Sequence, residues 1–140
     1  MAKQALIDGL NTDLAYEYQA IMKYNQYAAL VTGPHRRSLA TFFRGEIPDE
    51  LGHAEFLADK IVALGGVPAT EPEPFQMTNE PLEMLHILLK DERDTIERYK
   101  TRIEQADAIA DVGLRVRLED IISDETSHAE EIEKLIKGWK

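Results

Sequence analysis

The chain has 140 residues, a length that fits one domain with its own hydrophobic core. Its 16 lysines and arginines against 26 aspartates and glutamates give a net charge of -10, which opposes binding to nucleic acid and to anionic membranes. It has no cysteine, so disulfides, thiolate metal sites and cysteine nucleophiles are excluded, and any metal has to bind Glu, Asp or His. No apolar run approaches the ~20 residues of a membrane span and no signal peptide is recognisable, so we expect a cytoplasmic protein without a membrane partner.

Glycine and proline divide the chain into four segments. Thr32-Gly33-Pro34 is a tight break, residues 65–81 form a long linker rich in proline, and a weaker break lies near residues 107–113. In each segment the apolar residues recur at steps of three and four, which predicts an amphipathic helix rather than a strand. The predicted helices cover residues 3–31, 35–64, 80–107 and 111–137.

The lengths of the breaks predict how the helices connect. The first and third breaks are short, so each neighbouring pair is expected to form an antiparallel hairpin, whereas an extended linker of about 14 residues can run the whole length of a helix. The predicted fold is therefore an all-α four-helix bundle of two antiparallel hairpins joined by a long crossover, in a single domain over residues 1–140. We also expect Asn79 or Thr78 to cap the third helix, and Pro48 to cause a kink or bulge in the second.

Each apolar stripe is interrupted by carboxylates where core residues are expected. The interruptions repeat: the two halves of the chain match at an offset of 75 residues, and the pattern Glu-x32-Glu-x-x-His occurs once in each half. The residues of the repeated pattern are Glu17, Glu50, His53, Glu92, Glu125 and His128. A fold into two hairpins would bring these four carboxylates and two imidazoles to one height in the core.

A cluster of this kind favours a metal centre. Four buried carboxylates carry a charge of -4, which two divalent cations would neutralise, and isolated buried charges are costly. A histidine three residues after a glutamate lies on the same helix face, and oxygen with imidazole ligation suits iron or manganese. One glutamate from each of two helices and Glu-x-x-His from each of the other two is the arrangement of di-iron carboxylate bundles.

Two other sites with histidine are predicted to have no role in this centre. Glu83 and His86 form a further Glu-x-x-His, but they lie on a different face of the third helix, so we expect a solvated surface pair. His35 lies beside the first break and is expected to be a surface residue at a helix start.

Tyrosines and further acidic residues flank the repeated pattern. Tyr24 and Tyr99 lie two turns after the first glutamate of each repeat, and they are either core aromatics or redox groups; in both cases a buried hydroxyl needs a partner, for which a ligand carboxylate is the obvious candidate. Glu46 and Asp49, just before Glu50, either carry iron towards the centre or form a solvated acidic edge.

On these residues the sequence resembles the ferritin-like superfamily over almost the whole chain, in particular the bacterioferritin and short ferritin, or Dps-like, branch. The resemblance implies that the six residues of the repeat are the ligands of a di-iron ferroxidase centre with two Fe ions per subunit, Mn being possible. It implies that Glu50 and Glu125 are the bridging ligands and that Tyr24 is the tyrosine close to the site. The implied function is oxidation of Fe(II) to Fe(III) by dioxygen or hydrogen peroxide for iron storage and detoxification, inside a homo-oligomeric shell.

Some residues depart from the family patterns. Leu51 stands where bacterioferritin has its haem-ligating methionine, so no haem is expected, and the basic tail of DNA-binding Dps proteins is absent, which argues against a nucleic-acid partner. Thr95 stands where rubrerythrins have a further glutamate.

Two alternative functions are a rubrerythrin-like di-metal peroxidase or oxidoreductase without mineral storage and a non-catalytic metal-binding bundle. A homo-oligomer is also expected, because shells of the family bury helix faces between subunits and this chain has apolar residues off or beyond the core stripes, such as Ile47, Phe56 and Trp139.

Overall fold

The computed structural model describes all 140 residues and contains four α-helices and no strand. The helices are α1 (Ala2–Leu30), α2 (Arg36–Ala63), α3 (Pro81–Ala108) and α4 (Val112–Lys137). The four predicted segments are confirmed to within one residue at each end. None of the helices is both long enough and apolar enough to cross a membrane.

The turns are built by residues suited to them. Gly33, between α1 and α2, and Gly65, after α2, both have a φ of 95°, a left-handed conformation that glycine adopts without steric cost. Before α4, Asp111 caps the helix by accepting a hydrogen bond from the backbone N–H of Leu114 at 3.0 Å. These local signals explain why the helices end where the sequence predicts.

Two local predictions on helix structure have different outcomes: the predicted cap of the third helix is wrong, and the bulge at Pro48 is not formed. The residue that caps α3 is Glu80, without a side-chain cap, because Thr78 instead accepts from the Glu80 N–H at 3.2 Å and donates to Glu83 at 2.9 Å. Of the kink or bulge expected at Pro48, the bulge is absent, since α2 stays α-helical along its whole length. The carbonyl that proline leaves without its helical partner belongs to Arg44, an exposed residue, so water can reach it.

The four helices pack as two hairpins, α1 with α2 and α3 with α4, and the hairpins meet chiefly through α1 and α3. The crossover between α2 and α3 runs along α1. Asn11 donates to the carbonyl of Val67 at 3.0 Å and accepts from the N–H of Ala69 at 2.8 Å, and further along α1 Gln19 donates to the carbonyl of Glu73 at 3.2 Å. The predicted bundle with a long crossover is confirmed.

The apolar core forms two separate clusters, one towards each end of the bundle. Tyr24, Leu39, Phe43, Leu85 and Ile132 are members of one cluster. Leu6, Leu57, Tyr99, Leu118 and Ile121 are members of the other. Between the two clusters, all four helices contribute buried polar residues, and this layer holds the candidate site.

The apolar residues that support the expected oligomer are only partly buried within the chain. Ile47, Phe56 and Trp139 are of intermediate burial and pack against the two core clusters, so part of each side chain stays accessible to solvent. Among the larger apolar side chains that are exposed are Met22 and Val62.

Candidate metal centre

The six residues of the repeated pattern lie together in the polar layer of the bundle. Each is buried, and none has more than 6% of its surface exposed. α1 and α3 each supply one glutamate, and α2 and α4 each supply a glutamate and a histidine one turn apart. The two hairpins therefore contribute equivalent halves of one site, as the repeat predicts.

The ligand atoms fall into two overlapping groups, in each of which the atoms lie within 4.8 Å of one another. One group is Glu17, Glu50, His53 and Glu125, and the other is Glu50, Glu92, Glu125 and His128. Glu50 and Glu125 belong to both groups. The geometry can hold two metal ions, with these two carboxylates between them.

Six buried atoms of this layer, one from each residue of the repeat, have no hydrogen-bond partner. They are Glu17 Oε2, Glu50 Oε1, His53 Nδ1, Glu92 Oε2, Glu125 Oε1 and His128 Nδ1. Buried polar atoms are nearly always satisfied, because an unmade hydrogen bond in the interior costs free energy. Four carboxylate oxygens and two imidazole nitrogens facing one space are the donor set of an iron or manganese pair, so the residues present fit such a metal centre.

Two tyrosines hold the outer glutamates from the opposite hairpin. The hydroxyl of Tyr24 donates to Glu92 Oε1 at 2.9 Å, and that of Tyr99 donates to Glu17 Oε1 at 2.8 Å. Burial and the neighbouring carboxylates raise the pKa of both tyrosines well above the ordinary value, so both hydroxyls stay protonated donors. The predicted carboxylate partner is present for each tyrosine, and one oxygen of each glutamate is left for the centre.

Aspartates hold the outer nitrogen of each histidine. His53 Nε2 lies 3.0 Å from Asp124 Oδ2, and His128 Nε2 lies 3.0 Å from Asp49 Oδ2 and 2.7 Å from Glu46 Oε2. A histidine that binds metal usually has its second nitrogen held in this way, which fixes the ring. The role of Asp124 was not predicted. The sequence does contain a signal for it, because an aspartate directly precedes the second glutamate in both repeats.

The metal-free centre retains protons. Burial opposes a charge on His53, but the nearby carboxylates of Glu17 and Glu125 raise its pKa to about 9, and carboxylates likewise raise the pKa of His128. Burial and the neighbouring carboxylates raise the pKa of Glu50 and of Glu125 well above the ordinary range. Burial also opposes the charge of Glu17, yet the neighbouring Glu50 and His53 and the hydrogen bond from Tyr99 lower its pKa. Metal ions would displace these protons.

A buried ion pair beside the centre was not predicted. Asp13, 1% exposed and one turn before the first glutamate of the repeat, accepts a hydrogen bond from Arg102 at 2.8 Å. Burial raises the pKa of Asp13 to about 6, against the opposing effect of Arg102. The guanidinium lies over Gly9, where an added Cβ would come within 2.6 Å of it. The sequence signal that could have predicted this pair is an aspartate on the core face of α1 together with an arginine on the core face of α3.

The residues expected to have no role in the centre lie outside the group of ligand atoms. Glu83 and His86 are exposed on α3, as predicted. His35 is the N-cap residue of α2, so its place at a helix start is confirmed. It is partly buried, because its ring packs at 4.4 Å between centroids against Trp139.

Comparison with known proteins points to one family. A family model described as a ferritin-like domain matches residues 7–140. The bacterioferritin of Streptomyces coelicolor is 31% identical over 129 residues, which are 91% of this chain and 77% of that protein. A ferritin-like, diiron-carboxylate protein from Bacillus anthracis is 47% identical with a TM-score of 0.95, covering 97% of this chain and 98% of that one.

A bacterioferritin of Desulfovibrio desulfuricans, 27% identical with a TM-score of 0.86, covers 97% of this chain and 80% of its own, and it has a diiron site. The match of the family model extends over nearly the whole chain, and the identities to bacterioferritins extend over most of it. By these matches, this chain belongs to the ferritin-like family.

Proposed function

We propose that this chain is a ferroxidase, which oxidises Fe(II) to Fe(III) at a di-iron carboxylate centre inside each subunit and so serves iron storage and detoxification. The observation that carries the proposal is the set of six buried, unpartnered ligand atoms. Similarity to bacterioferritins supports it, as does the diiron site, crystallised in different catalytic states, of the Desulfovibrio desulfuricans protein.

In this proposal the six residues divide between two ions. The first ion binds Glu17 and His53, the second binds Glu92 and His128, and Glu50 and Glu125 bridge the two. The overlap of the two atom groups at the bridging pair supports the division. Tyr24 acts beside the ligands, since its hydrogen bond directs one oxygen of Glu92 away from the centre and leaves the other for metal.

The iron pair, when bound, supplies two electrons. With two protons these reduce hydrogen peroxide to two water molecules, or dioxygen to hydrogen peroxide, and two Fe(III) ions result. The protein residues contribute the cage: four carboxylates offset the charge of the ions, and the two aspartates fix the histidine rings. Because these residues are buried, the ions would lie in an interior where electrostatic stabilisation is strong.

The remaining parts of the proposal concern assembly and partners. We infer a homo-oligomeric shell of single-domain subunits, residues 1–140, with iron as the metal and manganese as a possible substitute. Leu51 has no atom that could ligate haem, which supports a haem-free protein. The charge of -10 supports the absence of a nucleic-acid partner. A cytoplasmic location fits a reaction that consumes ferrous iron.

Anaerobic addition of Fe(II) followed by an oxidant tests the proposal. We expect rapid oxidation of two Fe(II) per chain, and then further iron loading into a particle much larger than one 15.9 kDa chain in size-exclusion chromatography. Turnover of peroxide without mineral would instead support the rubrerythrin-like alternative. Tight metal binding with neither activity would support a non-catalytic bundle.

Four further measurements test the finer parts. Metal analysis of the purified protein distinguishes iron from manganese, and the absence of a Soret band is expected if no haem binds. A salt-sensitive gel shift with duplex DNA would contradict the absence of a nucleic-acid partner. Cell fractionation tests the location.

A further inference from the structure

The end of α1 and the start of α2 lack the acidic residues that are common in the rest of the chain. Residues 18–45 contain no aspartate or glutamate, although the whole chain has 26 of them among 140 residues. Of the basic residues in this stretch, Lys23 is buried and paired with an aspartate of α3 at 2.6 Å. The others are Arg36, Arg37 and Arg44 at the start of α2, so this tip of the bundle is positively charged on a chain of net charge -10.

The three arginines line one open pocket on the surface of α2, which we call the arginine pocket. Its other lining residues are Ala40 and Thr41, so no carboxylate lines it. Arg37, Thr41 and Arg44 follow one another at steps of four and three residues and therefore share one face of the helix. Every other arginine of the chain forms an ion pair, whereas these three form none. The pocket thus has positive charge that the chain itself does not offset.

Arg36 is held in position by the end of α1. Its Nη1 donates to the carbonyl of Val31 at 2.6 Å and to the carbonyls of Ala28 and Ala29 at 3.1 and 3.3 Å. These bonds use one nitrogen of the guanidinium, and neither Nε nor Nη2 has a partner in the chain. One cationic group of the pocket is therefore fixed in place with free donors, which reduces the entropy that is lost when an anion binds.

The fold does not require arginines at these positions. At the offset of 75 residues that relates the two hairpins, the corresponding positions at the start of α4 hold Asp111, Val112 and Glu119. The second hairpin nevertheless forms a helix pair like the first. Three like charges around one pocket repel one another, and an anion that enters the pocket relieves this repulsion. The cluster therefore fits a negatively charged ligand from outside the chain.

We propose that the arginine pocket binds free phosphate through its three guanidinium groups and the hydroxyl of Thr41. Planar guanidiniums bind phosphate oxygens with pairs of N–H donors, and the start of α2 adds the partial positive charge of a helix N-terminus. A nucleic acid carries about one charge per 1.7 Å and would extend beyond the pocket towards Glu46 and Asp49 of the same helix, which favours a small anion. The pocket shares no residue with the candidate centre, so the inference is independent of the proposed ferroxidase function.

Titration of the metal-free chain with inorganic phosphate, followed by phosphorus NMR at low ionic strength, tests the inference. We expect saturable binding of one phosphate per chain, which weakens as sodium chloride is added. Arg37→Gln and Arg44→Gln each remove one charge from an exposed side chain. Each should weaken phosphate binding by about fivefold, which corresponds to a favourable exposed ion pair, and the double variant should show no saturable binding.

Arg93→Gln is the matched control, because it removes the same charge from an exposed arginine of α3 that pairs with Glu133 at 3.1 Å. This variant should bind phosphate as wild type does. Arg36 is left unchanged, since its substitution would also remove the hydrogen bonds that it donates to the end of α1. Circular dichroism checks that each variant retains its helices, and the rate of Fe(II) oxidation should stay at the wild-type value in all of them.

Four results would overturn the inference. Wild type could show no saturable phosphate binding, or Arg93→Gln could weaken it as much as Arg37→Gln does, which would make it an effect of net charge. Binding of a DNA duplex or of anionic phospholipid vesicles that phosphate does not displace would show that the pocket recognises a macromolecule. A smaller particle in size-exclusion chromatography of the double variant would make the pocket an interface between copies. A wild-type chain that does not oxidise Fe(II) would refute the proposed function and leave the phosphate titration unaffected.

Discussion

His53 and Asp124 belong to different hairpins, yet His53 Nε2 and Asp124 Oδ2 lie 3.0 Å apart at the edge of the candidate centre. The contact orients the imidazole so that Nδ1 faces Glu17 and Glu125 at 3.7 and 3.6 Å. The equivalent contact between the hairpins is made at His128. The direction of each histidine thus depends on how the two hairpins dock, and not only on its own helix.

This relationship predicts that Asp124→Ala weakens metal binding although Asp124 is not among the proposed ligands. Loss of such a partner typically costs 10- to 100-fold in metal affinity, because the ring loses its fixed orientation. Titration with Co²⁺, followed by its visible absorbance, should show weaker binding at one of the two sites. Asp120→Ala, one turn earlier on α4 and exposed, is the control, and an equal loss there would contradict the prediction.

The bridging carboxylates are expected to be the most sensitive positions for activity. Glu50→Ala or Glu125→Ala should abolish fast Fe(II) oxidation, because a bridging residue contacts both ions and its loss leaves the cage one charge short. Stopped-flow absorbance of Fe(III) formation after anaerobic loading measures the effect.

The exposed Glu-x-x-His of α3 has the same residue types as the candidate ligands but lies outside the centre, so it is a matched control for the variants of the bridging glutamates. Replacing Glu83 and His86 together by alanine should leave the oxidation rate near wild type, because both side chains are exposed. Loss of activity in this double variant, with activity retained in Glu50→Ala, would show that the proposed centre is in the wrong place.

Glu50, one of the two bridging residues, is expected to reduce the stability of the metal-free protein. Glu50 is 1% exposed, and burial together with the Glu17 and Glu125 carboxylates raises its pKa, so its charge is unfavourable without metal. In urea with a chelator present, Glu50→Ala should be as stable as wild type or more stable. Co²⁺ should then raise its midpoint less than it raises that of wild type. A large loss of stability without metal would contradict this account.

The positions of the six candidate ligands could be predicted because they depend on helix periodicity and on the repeat. Both are properties of the sequence alone, and each carboxylate interrupts an apolar stripe that the fold buries. The partners of Tyr24 and Tyr99 could be predicted by chemical type, since a buried hydroxyl needs an acceptor. That each tyrosine reaches the glutamate of the other hairpin depends on the register between α1 and α3, which periodicity does not fix.

Other features of the site depend on three-dimensional contacts and could not be read from one helix at a time. Asp13 and Arg102 are 89 residues apart in the chain, and the position of each on the core face of its own helix does not identify its partner. The contact of the Arg98 guanidinium with the ring of Tyr16 likewise depends on how α1 meets α3. The cap of α3 was predicted wrongly because Thr78 bonds to Glu83 instead, an alternative of similar energy that local sequence does not decide.

The raised pKa of His53 gives the metal-free protein a defined pH dependence. His53 has an ordinary pKa of 6.5 and a pKa of about 9 in the folded chain, so folding increases its affinity for a proton. The stabilisation is fully present below about pH 6.5 and is lost as the pH rises through 9. With a chelator present, the free energy of unfolding from urea titrations should therefore fall by a few kcal/mol between these pH values. The decline should be smaller in His53→Gln and unchanged in His86→Gln, and stability that rises over this range would contradict the charge pattern of the centre.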